Sequence, residues 1–314
     1  MKKEKATTIS CLKQRIFEFP LITIEDLFFN EMVWFVFMLG NEIIRKRQER
    51  TKEELYIVRV YEVITTIQSC FTHIDQAIHF IRRRPTLKEL DKNEDMTIID
   101  YYNYHYDVII HKLSTIRDLS FKLINHVFGL NLDNQHCNWA YISRKKELIK
   151  IPGVLNIQRL FYYLMREVEY DRNESSHNGN LCIKTFKEID MIVLLSQLKR
   201  LGKIPEEIID YDPMAKGTYN DFVLRKKKKE LLKKIDHDKA TSLFFIHVLT
   251  CCISREFKSR ISQKTLDKYT TVVNEANRQI DSYERKINKL EYLIPYLIRI
   301  DEVMEHLKDN GIKI

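Results

Sequence analysis

Residues 56–81, YIVRVYEVITTIQSCFTHIDQAIHFI, decide the fold class. Tyr56, Val60, Val63, Ile64, Ile67, Phe71, Ile74, Ile78 and Ile81 recur at intervals of three and four. That spacing gathers them on one side of an α-helix, whereas a strand would need alternation. The segment 52–82 therefore predicts one long helix that buries an apolar stripe. Arg82-Arg83-Arg84-Pro85 ends it, because proline has no N–H to continue the ladder, and a polar loop follows to about Asp95.

The same period extends in both directions. Residues 24–48 predict a helix opened by Thr23 or Glu25-Asp26, with Leu27, Phe28, Met32, Phe35, Met38 and Leu39 along one broad side. Residues 98–130 predict another, with Ile109, Leu113, Ile116, Leu123, Val127 and Leu130 in register and Gly129 placed where glycine closes a helix. After a connection over Asn131–Asn138, Pro152-Gly153 precedes a helix over 154–172. Ile157, Phe161, Leu164 and Val168 share a face that Arg172 continues. Helices over 184–201, 219–260 and 264–309 complete the chain, with Pro205 and Asp212-Pro213 bracketing a less regular link. In the last helix Val273, Ile280, Ile287 and Ile294 lie seven apart, with Ala276, Tyr283, Leu290, Leu297 and Met304 as companions. Such a seam packs against another helix of the same chain or of a partner, and Pro295 kinks or divides it. Seven glycines and six prolines in 314 residues leave few turns, so the fold class is all-α.

Charged residues make up 31% and hydrophobic residues 44%, the balance of a globular protein. The net charge of +8 and pI near 9.0 admit a polyanionic partner such as RNA, DNA or an anionic membrane surface. Lys-rich solvated helix faces account for the same charge without one. Met32–Leu39 and Ser242–Ile253 are apolar runs too short to span a bilayer, so no transmembrane segment and no membrane partner are expected. With no apolar leader behind the basic N-terminus and no Cys-x-x-Cys among Cys11, Cys70, Cys137, Cys182, Cys251 and Cys252, a cytoplasmic location with reduced thiols is expected.

The scarcity of glycine argues against a phosphate loop or a dinucleotide fingerprint. No His-Glu-x-x-His occurs. His73 with Asp75, or His105 with His111, have the look of metal ligands, yet isolated pairs of this kind are ordinarily surface or core residues, and no metal or cofactor is expected. Ser175, Ser176 and His177 are neighbours in sequence, but nothing resembles a nucleophile elbow.

Asp171-Arg172-Asn173-Glu174-Ser175-Ser176-His177 carries the sharper chemistry. Metal-free RNA cleavage needs a base for the 2′-hydroxyl, an acid for the leaving oxygen and a cation for the charged phosphorane. Histidine titrates near neutral pH and can act as base or acid. Arginine stays charged and presents a fork of donors to phosphate oxygens. On an unbroken helix, residues five apart lie about 140° from each other around the axis. Either the helix breaks between Arg172 and His177, which the weak helix formers Ser175, Ser176, Asn178 and Gly179 would permit, or the site is shared between two subunits. Arg299 and His306 show similar spacing inside the heptad helix and read as a coincidence. The bland reading of Arg172 and His177 is that they solvate a helix end.

With these residues the chain resembles the HEPN superfamily of helical bundles. Its signature is an arginine, often followed by a polar residue, and a histidine after four to six intervening positions. Arg172, Asn173 and His177 fit with four. Arg159–Glu167 looks like the helix that carries the motif, and Asp118–Leu130 looks like the Asp-containing helix of some bacterial members. The resemblance covers about half of the chain, a HEPN-like bundle over 51–212, and says little about the N-terminal helical segment over 1–50 or the C-terminal helical region over 213–314 that the helical pattern leaves on either side. It implies a metal-independent endoribonuclease of a bacterial defence or toxin system, with RNA as substrate and an antitoxin or other protein as a possible partner. The active site would be composite, formed where two copies meet in a homodimer. His177 would be the general acid or base, Arg172 would bind the scissile phosphate, Asn173 would orient either, and Asp118 would help position Arg172. Some members are inactive, so the alternative is a non-catalytic helical interaction or RNA-binding module. The basic tracts Arg82-Arg83-Arg84, Arg144-Lys145-Lys146 and Arg225–Lys229 with Lys233-Lys234 could guide RNA, and Tyr101, Tyr102, Tyr104 and Tyr106 could stack on bases.

Overall fold

Thr51 and Glu54 show how the long helix starts. The Thr51 N–H donates to Glu54 Oε2 at 2.8 Å and the Glu54 N–H donates to Thr51 Oγ1 at 3.2 Å, a reciprocal cap that satisfies two donors left open at a helix N-terminus. Thr97 and Asp100 repeat the device at 2.8 and 3.0 Å. The computed structural model describes residues 31–83, 97–149, 152–178, 186 and 217–284. In these residues all regular structure is helical and no strand occurs, so the fold is all-α. In chain order the helices are α1 (Glu31–Arg45), α2 (Lys52–Arg82), α3 (Ile98–Val127), α4 (Trp139–Ile142), α5 (Lys146–Ile149), α6 (Pro152–Leu164), α7 (Arg166–Asn178), α8 (Gly217–Ser259), α9 (Gln263–Lys268) and α10 (Thr270–Glu284). The expected loop to Asp95, the helix over 184–201, the link over 205–213 and the distal heptad positions from Ile287 onward lie outside the described residues, apart from Phe186.

Packing divides the chain into two units that are discontinuous in sequence. The first takes its described residues from Met1–Cys70, Thr115–Arg166 and Ala240–Ile314, the second from Phe71–Ser114 and Glu167–Lys239. Helices α2, α3 and α8 each give one part to each unit.

In the first unit, aromatic rings join helices in pairs. Phe257 of α8 meets Phe35 of α1 edge-on at 6.4 Å and stacks on Tyr56 of α2 at 5.6 Å, and Phe161 of α6 stacks on Phe245 at 5.2 Å. Gly40 lets α1 approach α2 closely, since a Cβ there would lie 2.6 Å from the Tyr61 ring. The described part of the heptad seam is spent on this unit: Ala276 and Ile280 are buried, and α10 packs along α1. Gly129 closes α3 as expected. Its φ is +57°, the Leu130 N–H reaches Asn125 O at 3.0 Å and its own N–H reaches His126 O at 3.2 Å. Arg260 adds a cation at this helix end, donating to Phe128 O at 3.0 Å.

Two expected helices are interrupted within the described residues. The helix expected over 154–172 is interrupted at Met165, which is buried and accepts the Ser242 hydroxyl at 3.7 Å. The helix expected over 264–309 is interrupted at Tyr269, whose φ of −118° and ψ of 26° leave the helical range. The Tyr269 hydroxyl donates to Glu54 at 2.5 Å, and Lys268 Nζ donates to the same oxygen at 2.7 Å. A buried carboxylate on α2 thus overrides the local helical pattern. Its neighbour Glu53 accepts from the Ser262 N–H and hydroxyl at 3.0 and 2.8 Å and from the Thr265 hydroxyl at 2.6 Å, clasping the start of α9.

Among the described residues one helical span, Phe222–Ser259, is long and apolar enough to cross a membrane by length and composition. Of its apolar window, 72% is buried inside the protein, as a core helix requires.

Two outcomes are expected. Burial alone would raise the Glu54 carboxyl, but the bonds from Lys268, Tyr269 and Thr51 outweigh it and hold it at about 2, against 4.5 ordinarily. The unfolded chain therefore binds its proton more readily. This stabilisation is complete above about pH 4.5 and is lost as pH falls toward 2. Glu54→Gln should flatten the fall of Tm across that window, and an unchanged acid limb would contradict the assignment. Gly129→Ala should cost about 1 kcal/mol or more in urea unfolding, because alanine resists positive φ and its Cβ would meet Arg260.

Candidate functional site

Helix α7 carries the Arg172–His177 segment, and the groups bonded to Asp171 and Ser175 belong to the second unit. The first turn of α7 holds Glu167 and Glu169 and its last turn holds His177, a distribution that suits the helix dipole. Tyr106 of α3 donates its hydroxyl to Asp171 Oδ2 at 2.8 Å. Lys234 of α8 donates to that same oxygen at 2.9 Å and to the Tyr106 hydroxyl at 2.8 Å. One turn further along α7, the Ser175 hydroxyl donates to Asp107. Asp171 and Ser175 are four apart and therefore share the face of α7 that is bonded to α3. Tyr106 is only 3% exposed. Burial first, then the Asp171 carboxylate, push its phenol far above the ordinary value, so it remains a protonated donor.

The helix runs unbroken from Arg166 to Asn178. The break that weak helix formers would permit between Arg172 and His177 is absent. Ser175 is tied to Asp107 across the helix interface, so its hydroxyl does not compete for the local backbone. Arg172 and His177 consequently lie about 140° apart around α7. Relative to the face held by Asp171 and Ser175, they flank opposite sides. Arg172 is half-buried, and Asn173 and His177 are exposed. No hydrogen bond or ion pair engages these three side chains among the described residues.

Asp118, Asp75, His111 and His105, also singled out in the sequence, have partners. Asp118, in the first unit, accepts from Arg117 Nε and Nη2 at 3.1 and 2.9 Å. Asp75 pairs with Lys239, and His111 faces Asp107 at 3.5 Å. His105 lies against the rings of Phe80 and Tyr101. Among the described residues no group of three His, Cys, Asp or Glu side chains is placed to hold a metal. Asp107 stands next to both Ser175 and His111, so the hydroxyl meets a carboxylate where a hydrolase triad would put the imidazole. Burial pushes the thiols of Cys137 and Cys252 up to about 11, away from nucleophilic use.

Tyr106, Asp107 and Lys234 are the residues that the motif alone does not reveal. Asp171 borders the arginine, but nothing local says which distant donors will take it. Comparison with protein-family models, curated proteins and solved structures finds no match to the chain.

Asp171→Ala should free α7 at its anchor and leave the buried Tyr106 hydroxyl without its charged acceptor. A destabilisation of about 1–2 kcal/mol is expected, the range of a hydrogen bond to a charged group discounted for the half-exposed lysine. Hydrogen exchange should quicken in α7 ahead of the first unit. Equal protection of α7 in the variant and the parent would contradict the anchoring role.

Proposed function

We propose that the protein is a metal-independent endoribonuclease of HEPN type whose active site is assembled from two copies of the chain. The observation that carries the reading is the state of α7. It is bonded to its neighbours through Asp171 and Ser175, yet it leaves Arg172, Asn173 and His177 unengaged among the described residues. A cation, an amide and an imidazole unengaged among the described residues, on an anchored helix, suit the capture and cleavage of a phosphodiester.

The chemistry follows from the residue types. One imidazole takes the proton of the ribose 2′-hydroxyl as the oxygen attacks the adjacent phosphorus. The bond to the 5′-oxygen breaks, and that oxygen takes a proton from water while the imidazolium returns its own to solvent. The products are a 2′,3′-cyclic phosphate and a 5′-hydroxyl. Arg172 neutralises the negative charge that gathers on the phosphorane oxygens. Because Arg172 and His177 flank opposite sides of α7, a phosphate held by one copy's arginine meets the histidine of a second copy across a two-fold axis. On the same resemblance the protein would act in the cytoplasm within a bacterial defence or toxin system, restrained by an antitoxin or another protein partner.

The wide separation of Arg172 and His177 within one copy also favours the second reading, a non-catalytic interaction or RNA-binding module, and an activity assay separates the two. Mixed RNA incubated with EDTA should be cut by the wild type and spared by Arg172→Ala and His177→Ala with folding intact. Persisting activity in both variants would sink the site assignment. Mixing and re-equilibrating the two variants should restore about a quarter of the wild-type rate, since half of the dimers are mixed and each rebuilds one of two sites. No recovery on mixing would reject the shared site.

A further inference from the structure

Two exposed aromatic side chains of the second unit, Phe80 and Tyr104, lie where the end of α2 meets the start of α3. Phe80 is 41% exposed and Tyr104 is 63% exposed. Between them the His105 ring stacks on Phe80 at 5.0 Å with 12° between the planes, and it meets Tyr104 and Tyr101 edge-on at 5.2 and 4.5 Å. The Tyr101 hydroxyl donates to Phe80 O at 3.2 Å, fixing the two helix ends against each other. Burial lowers His105 below its ordinary value, which keeps this ring neutral. Of the four clustered tyrosines, Tyr102 and Tyr106 are inside, so Tyr101 and Tyr104 remain to line the surface.

Cations border the same helix end. Arg82 pairs with Asp236 of α8 at 3.1 Å, and Lys228 donates to Arg82 O at 2.7 Å. On α8, Arg225, Lys229 and Asp236 fall on one stripe by helical spacing, and both Arg225 and Lys229 are exposed. The side of α8 that meets Arg82 is therefore the side that carries these two cations.

We propose that this surface is a binding site for single-stranded RNA, with bases stacked on Phe80, Tyr104 and His105 and phosphates along Arg225 and Lys229. The proposal rests on the ribonuclease reading and adds the form of the substrate. A duplex conceals the faces of its bases, whereas a single strand offers both an exposed ring to stack and a flexible run of phosphates. The location fits that use. Tyr104 lies three residues before Asp107, about 4.5 Å along α3, and Asp107 holds Ser175 of α7. A stacked base would sit beside the helix that carries Arg172 and His177.

The test uses the full chain carrying His177→Ala, so that RNA survives the measurement. The probe is a short RNA oligonucleotide containing 2-aminopurine, free or annealed to its complement. Binding should quench the base on the single strand and be much weaker for the duplex. Tyr104→Leu and Phe80→Leu should each weaken binding about tenfold, whereas Tyr104→Phe should bind as the parent does. Replacing Arg225 and Lys229 by alanine should lower the salt slope by about 0.7 for each phosphate that is no longer neutralised. Tyr104 is largely solvated and leucine keeps the Phe80 position apolar, so both variants should keep the parent's circular dichroism. Parent-like affinity in both leucine variants, equal binding of duplex, or absence of quenching would overturn the site. Cleavage that needs Arg172 and His177 but ignores Phe80 and Tyr104 removes the platform and leaves the nuclease. Platform-dependent binding with no cleavage does the reverse.

Discussion

The orientation of the candidate site depends first on one carboxylate, Asp171, seconded by the Ser175–Asp107 bond one turn on. Asp171 receives a buried phenol from α3 and an ammonium from α8 on one oxygen, and these two donors are themselves bonded to each other. The three groups form a closed triangle linking three helices of the second unit. A phenol buried to 3% exposure cannot turn toward water for a substitute partner, so breaking the triangle leaves a polar group unsatisfied in the interior. That penalty is what fixes the rotation of α7. Once Asp171 faces α3, helical geometry alone determines that Arg172 points to one side and His177 to the other.

A related logic operates in the first unit with different groups. Glu54 is 2% exposed, and a carboxylate so placed is tolerated only when donors surround it. Thr51, Lys268 and Tyr269 supply them, and the chain departs from the helix at Tyr269 to do so. In both units a carboxylate, buried at Glu54 and half-buried at Asp171, defines which elements must meet, while apolar side chains fill the space between them. Apolar stripes tolerate rotation and slippage, whereas a carboxylate with fixed donors does not.

How far the sequence foretells this follows the range of the interactions. Helix α2 coincides with the segment expected from its apolar period, and Gly129 ends α3 through its positive φ, because both depend on residues close in the chain. The reciprocal cap at Thr51 and Glu54 is equally local, with threonine three before glutamate at a helix start. The interruption at Tyr269 is not, since it answers to a residue far away, Glu54. The same limit applies to the site. Arg172, Asn173 and His177 stand out by residue type and spacing, but the donors that orient their helix are 65 and 63 residues distant from Asp171. The tyrosine cluster shows the reverse problem: four neighbouring residues look alike in sequence, and burial separates Tyr102 and Tyr106 from the surface.

The division of α7 into a bonded face and two flanks has a consequence for how cleavage could be controlled. An active site contained in one chain would be competent whenever that chain is folded. Here the cation and the imidazole diverge by about 140°, and the triangle at Asp171 resists the rotation that would bring them together. On the proposed reading an approaching second helix would complete the set, and competence would then depend on assembly, and through it on concentration or on any partner that occupies α7. The exposed imidazole and the half-buried guanidinium differ in this respect. A partner covering His177 need not touch Arg172, so phosphate binding could persist while the proton-transfer group is withheld.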